Sequence, residues 1–142
     1  MKNLRFVTFL ALALLATVSA AYASEEDAAE TEYTVNLASD DALGTFLVDG
    51  DGMTLYSFAT DVPGSGTSAC SGECAERWPA FFTVEILVPP ELNQTNFHGF
   101  KREDGSIQTT YKGLPLYYYV EDETPGDVKG QGLGGVWFVV SP

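Results

Sequence analysis

The chain of 142 residues has two cysteines, in Cys70-Ser71-Gly72-Glu73-Cys74, and one histidine, His98. A pair separated by three residues supports two chemistries. Oxidised, it closes a tiny loop as a disulfide, the simpler reading in an exported chain. Reduced, it offers a redox dithiol or a soft-metal site, and copper would want further ligands such as Met53 or His98. Carboxylates supply the other chemistry. Asp49, Asp51, Asp61 and Asp122 could hold a hard cation such as calcium through oxygen. Asp49-Gly50-Asp51-Gly52, however, is only a fragment of a calcium loop and lacks the later bidentate glutamate. No firm metal site and no cofactor follow, with calcium and copper the metals these donors would suit.

Catalytic signatures are missing. There is no Gly-x-Ser-x-Gly, no His-Glu-x-x-His and no Cys-x-x-Cys-His haem attachment. The alternating β-α pattern on which copper-delivery proteins carry a cysteine pair is missing too. His98 has no recognisable nucleophile motif beside it and reads as a structural or surface histidine. The expectation is a non-enzymatic protein.

The aromatic residues carry a repeat. Leu55-Tyr56-Ser57-Phe58-Ala59-Thr60-Asp61 returns 61 residues later as Leu116-Tyr117-Tyr118-Tyr119-Val120-Glu121-Asp122, and Pro63-Gly64 and Pro125-Gly126 follow. Trp78 comes 17 residues after Asp61, and Trp137 15 after Asp122. Tyr56, Phe58, Tyr117, Tyr119, Trp78 and Trp137 could form a platform for stacking sugars or another planar ligand. Their period-two spacing in both copies favours instead the two facing halves of one core. Asp61 and Asp122 are then expected to accept backbone amides of the loops that follow them. Tyr118 lies on the opposite face from Tyr117 and Tyr119. It is expected to be the most exposed aromatic and to contact a ligand.

These residues need elements to position them. Tyr33 to Leu37 alternates apolar and polar residues like a half-buried strand. Leu43 to Val48 and Met53 to Ala59 flank Asp49-Gly50-Asp51-Gly52, the strongest hairpin signal. Ser71 to Trp78 suits two helical turns capped by Ser68 or Ser71, with a Glu73–Arg77 pair and a stop at Pro79. Cys70, Cys74 and Trp78 would share one face. Phe81 to Val88, between prolines, reads as an edge strand or an extended connection. Phe97 to Arg102, Ile107 to Lys112, Leu116 to Val120 and Val136 to Val140 are the other strands, with turns at Glu103–Ser106 and Lys112-Gly113. Asn93-Gln94-Thr95 is a glycan acceptor sequence in an exposed loop, with Asn93 the acceptor. The loop from Asp122 to Val136 holds five glycines and is either mobile or wrapped over something.

Residues 1–23 carry Lys2 and Arg5, an apolar run and Ala21-Tyr22-Ala23, the pattern of a cleaved secretory signal. The run is short of the roughly 20 residues of a membrane span, and no later stretch approaches one. Residues 24–32 have five carboxylates and no large apolar side chain, which predicts a flexible acidic leader. After removal of 1–23 there remain five basic and 20 acidic side chains, a net charge of −15. Such a charge argues against nucleic acid or anionic lipid as partner. An envelope component or a small ligand remains open.

From these motifs the chain resembles the extracytoplasmic "secreted repeat of unknown function" proteins, predicted lipoproteins with a Tyr-x-(Phe/Trp/Tyr)-x-x-Asp motif. The matching stretches are Asp51 to Asp61, Cys70 to Pro79, Arg102 to Asp122, and on through Pro125-Gly126-Asp127 and Gly130-Gln131-Gly132 to Trp137. The resemblance implies a location outside the cytoplasm and a tandem repeat, with no agreed activity. The chain departs from the lipoprotein description in having no cysteine at the signal cleavage site.

The expected architecture is all-β or β-dominated. Residues 33–142 would form one compact domain of two antiparallel half-repeats, about 43–90 and 97–140, with one short helix near Cys74. The expected function is that of a secreted or envelope-associated binding module, and the alternative is redox or metal handling by Cys70 and Cys74.

Overall fold

The computed structural model describes residues 32–142; the expected signal segment, and the expected acidic leader up to residue 31, lie outside the described residues. The strands are β1 (Val35–Asp40), β2 (Gly44–Asp49), β3 (Tyr56–Phe58), β4 (Phe97–Lys101), β5 (Ile107–Tyr111), β6 (Leu114–Pro115) and β7 (Trp137–Val139). One helix, α1 (Glu73–Arg77), and two single 3-10 turns, Gln94–Asn96 and Leu133–Gly135, complete them. The strands form three small antiparallel sheets, β1-β2, β3-β7 and β4-β5-β6.

The duplication is exact in register. Val35 pairs with Asp49 in β1-β2, and Phe97 with Tyr111 in β4-β5, each partner 62 residues on. The repeated Leu-Tyr segments meet at the centre, where Tyr56 and Tyr117 exchange backbone hydrogen bonds of 2.8 and 2.9 Å. Strand alternation then sends successive side chains to opposite faces. Leu55 and Leu116 enter a core of mainly aliphatic side chains with Val35, Leu47, Phe81, Phe97 and Val140. Tyr56, Tyr117 and Tyr119 enter a second, aromatic core with Trp78, Trp137 and Cys70.

Several sequence expectations change. Asp49-Gly50-Asp51-Gly52 does reverse the chain, with the Asp49 amide donating to the Met53 carbonyl at 2.9 Å, but only Val48 and Thr54 bridge across it. β2 takes its ladder from β1 and β3 from β7. The β1-β2 turn carries no Asn-Gly or Asp-Gly pair. It is held by Asp40 Oδ1, which accepts the Ala42 and Leu43 amides at 2.7 and 3.1 Å, and by Gly44 at φ 74°.

Leu116 to Val120 is not a strand. Residues 77–81 run beside it as β7 runs beside β3, with the Phe81 amide on the Leu116 carbonyl and the Val120 amide on the Arg77 carbonyl. Tyr118 N–H bonds the Pro79 carbonyl at 2.8 Å, but proline has no N–H to return the bond, and the ladder stays open. Phe81 to Val88 is the extended connection, tied to β5 at Thr109 and to Thr34 at Leu87. The helix is shorter than expected, starts at Glu73 after Gly72 with no side-chain cap, and does not bring Glu73 and Arg77 into an ion pair. The long glycine loop is wrapped over the aromatic core: Gly130 lies against Trp78 and Tyr56.

Candidate functional site

The repeat motif builds a closed lattice. Four rings stack in a row, Phe58 on Trp137 at 4.3 Å between centroids, Trp137 on Trp78 at 3.8 Å, and Trp78 on Tyr119 at 4.3 Å. Tyr56 and Tyr117 meet Trp78 and Trp137 edge-on at 5.4 and 5.1 Å. Ring faces that a flat ligand would need are thus spent on each other, as the core reading requires. The cleft beside Arg77, Trp78, Tyr119 and Trp137, about 330 Å³, borders a stack in which Trp78, Tyr119 and Trp137 are buried and Phe58 half-buried.

The motif aspartates close across the repeats. Tyr56 Oη donates to Asp122 Oδ2 at 2.7 Å, and Tyr117 Oη donates to Asp61 Oδ2 at 2.6 Å. The second oxygens accept backbone amides of the following loops, Ala69 on Asp61 at 2.7 Å and Lys129 on Asp122 at 2.9 Å. The sequence indicates the loop contacts; the tyrosine partners it does not. Burial pushes both phenols well above the ordinary tyrosine range, and the aspartate beside each adds to the shift. Burial also raises the Asp122 carboxyl, against the pull of its Tyr56 and Lys129 hydrogen bonds. Among the described residues no buried side-chain polar atom lacks a partner. This lattice is finished without a ligand.

Tyr118 is placed differently from the sequence reading. It is half-buried, its ring meets Phe81 edge-on at 5.7 Å, and its Oη donates to Asp49 Oδ2 at 2.7 Å. Among the described residues the exposed large aromatics are Phe82 and Phe138. Alternation within Leu116 to Val120 is kept, but the face opposite Tyr117 is also covered, by the aliphatic core and residues 79–81.

Asp49 is buried, and its Oδ1 accepts the Asp51 and Met53 amides at 2.9 Å each. Asp51 and His98 are exposed, His98 on β4. Among the described residues no three His, Cys, Asp or Glu side chains gather as a metal site would need. Asn93 is exposed and caps the first 3-10 turn, its Oδ1 accepting Thr95 N and Oγ1 at 3.0 and 2.7 Å. Cys70 and Cys74 form a disulfide with Cα atoms 5.2 Å apart, and Cys70 is fully buried beside the aromatic core.

A cleft of about 370 Å³ opens next to that disulfide, within the size range of small-ligand sites. One wall is the 66–75 segment of the first half, with Thr67, Ser68 and Ser71. The other is the β4-β5 turn of the second half, Lys101 to Asp104. Arg102 ties the two walls together: its guanidinium donates to Gln108 Oε1 and to the Cys70 carbonyl. Gln108 is itself fully buried and donates Nε2 to the Leu116 carbonyl at 2.7 Å. On the other wall Ser68 Oγ lies 2.8 Å from Tyr117 Oη, whose one proton is given to Asp61, and the serine proton is shared between that phenol and the Cys70 carbonyl at 3.2 Å. Hydrogen bonds therefore run from the cleft to both the Leu116 segment and a motif aspartate. Sequence reasoning missed Arg102, Gln108 and Ser68 because each is a single polar residue whose partner lies in another segment.

The family model described as "secreted repeat of unknown function" matches the chain twice, over residues 38–81 and 99–141. No curated protein and no solved structure matches it.

Proposed function

The chain belongs to the family of secreted repeats of unknown function, and from that premise we propose that it is a non-enzymatic extracytoplasmic binding module whose small ligand seats in the cleft beside the disulfide. The observation that carries this reading is the construction of the cleft. Each half supplies one wall, and both walls are pinned, by Cys70–Cys74 on one side and by Gln108 and Arg102 on the other. Walls fixed before the ligand arrives spare the ordering cost of binding. The other recesses fit less well. The groove beside Tyr118 is wide and shallow, and the phenol on its wall already serves Asp49.

The family description and the disulfide support a location outside the cytoplasm. On this reading the disulfide is structural, no metal is required, and association with the envelope goes through the bound ligand.

Amide NMR of the purified protein, titrated with a panel of sugars, amino acids, organic acids and phosphate, tests the site. Saturable shifts at Thr67, Ser71, Ala75 and Glu103, abolished by filling the cleft with Thr67→Tyr, are expected. Saturation only at residues around Tyr33 and Tyr118, or no saturable response to any compound, would overturn the assignment.

A further inference from the structure

The fold holds the Arg102 side chain in the cleft wall, but among the described residues it gives that side chain no ion-pair partner. The chain has 20 acidic and seven basic side chains, so an arginine should find a carboxylate easily. Among the described residues the one ion pair is Lys129 with Asp127, at 3.5 Å. Arg102, half-buried, bonds two neutral oxygens instead, Gln108 Oε1 and the Cys70 carbonyl. Those bonds use two of its five N–H donors and fix the plane of the fork, but they cancel none of its charge.

The two halves isolate what is special here. The 62-residue shift that superposes the hairpins puts Asp40 in the place of Arg102 and Phe46 in the place of Gln108. Cation and holder thus occur together in one copy and are both missing from the other. Lys101, next in the chain, lines the same cleft, and Thr67 and Ser71 add hydroxyls.

Resting on the cleft reading above, we infer that the ligand is anchored by a compact oxyanion group, a carboxylate or a phosphate, received by the guanidinium of Arg102 with Lys101 beside it. Planar fork geometry matches either group in a two-point contact. Glu103 and Asp104 line the same cleft, and Asp104 Oδ1 is engaged in its own turn, accepting Ser106 N at 2.9 Å and Oγ at 2.6 Å. Their charge selects for a small ligand with one anionic group and against extended polyanions.

Sodium acetate, glycine and sodium phosphate, each titrated at constant ionic strength against sodium chloride, separate the two sources of the oxyanion. The Arg102 Nε–H and the Ser71 and Ala75 amides report. The expected result is a saturable shift with at least one oxyanion and none with chloride. Arg102→Lys, which keeps the charge and loses the fork, should weaken that binding roughly tenfold, the equivalent of one charge-assisted hydrogen bond. Lys101→Gln, at an exposed position, should weaken it less and leave the melting temperature unchanged. If neutral sugars saturate the same amides while oxyanions do not, the anion inference fails and the cleft reading stands. If neither does, both fail. Equal affinity in wild type and in a folded Arg102→Lys protein would also overturn the inference.

Discussion

Removing one phenol oxygen tests whether the aspartate-tyrosine lattice holds the two halves together. Tyr56 is fully buried; its Oη donates to Asp122 at 2.7 Å and accepts the amide of buried Gly130 at 3.1 Å. Tyr56→Phe therefore loses one hydrogen bond to a charged group, about 1.5–3 kcal/mol, and one neutral bond of about 1 kcal/mol, and strands a buried amide. A loss of about 3 kcal/mol is expected, a large share of a typical stability of about 5–15 kcal/mol. Tyr117→Phe should cost less, about 2 kcal/mol, because Ser68 is only half-buried and can turn to water. Tyr118→Phe, whose phenol serves Asp49 from a half-buried position, should cost least, about 1 kcal/mol. Urea unfolding followed by the fluorescence of Trp78 and Trp137 measures all three, with an unchanged m value as the sign that only stability moved. The penalty for Tyr56→Phe should also depend on pH. Burial already raises the Asp122 carboxyl, and loss of the phenol removes a hydrogen bond that lowers it. A carboxyl whose folded value is raised favours the fold when protonated and loses that advantage as pH rises, so the penalty should be larger at pH 7 than at pH 4. Losses below about 0.5 kcal/mol for both Tyr56→Phe and Tyr117→Phe, or the reverse pH trend, would refute the lattice as the tie between the halves.

Other parts of the fold give independent tests. A Cβ on Gly130 would sit 2.7 Å from Trp78 Cη2 and 2.9 Å from Tyr56 Cε1, both in rings that cannot yield; Gly130→Ala should cost about 1–3 kcal/mol and alter the near-UV circular dichroism, and an unchanged melting curve would contradict the packing. Replacing Cys70 and Cys74 together by serine should cost about 2 kcal/mol from loop-closure entropy while leaving the β signal intact; global unfolding at room temperature would mean the disulfide does more than close its loop. The Asp127 carboxyl is held down to about 2, first by the Glu123 and Thr124 amides it accepts. Its stabilising contribution is therefore complete above about pH 4 and lost as pH falls through 2, so the difference in urea midpoint between wild type and Asp127→Asn should shrink over that range. A constant difference down to pH 2 would remove this account of the loop.

Much of this molecule was legible in local patterns. Period-two spacing tells which residues of Leu55 to Asp61 and Leu116 to Asp122 share a face, because alternation is a property of extended backbone, laddered or not. Both tyrosines and both leucines went to the expected sides. Short-range chemistry likewise told of the turn at Asp49–Gly52, the stop at Pro79, the disulfide and the loop amides on Asp61 and Asp122. The duplicated motif carries a resemblance to the family whose model matches both copies.

What covers each face was decided only in three dimensions. A carboxylate at the end of a strand gives no sign that its second oxygen belongs to a tyrosine 56 or 66 residues away in the other copy. Tyr118 was expected outside because its neighbours point inward, yet a second core lies on its side of the segment. Leu116 to Val120 has the residues of a strand and fails to be one because its neighbour at Pro79 lacks a donor. Arg102 reads in the sequence only as the end of a strand, and its role comes from Gln108, Cys70 and the two walls of the cleft that meet around it. Pairings of this kind depend on chain closure over long separations, which no local period encodes.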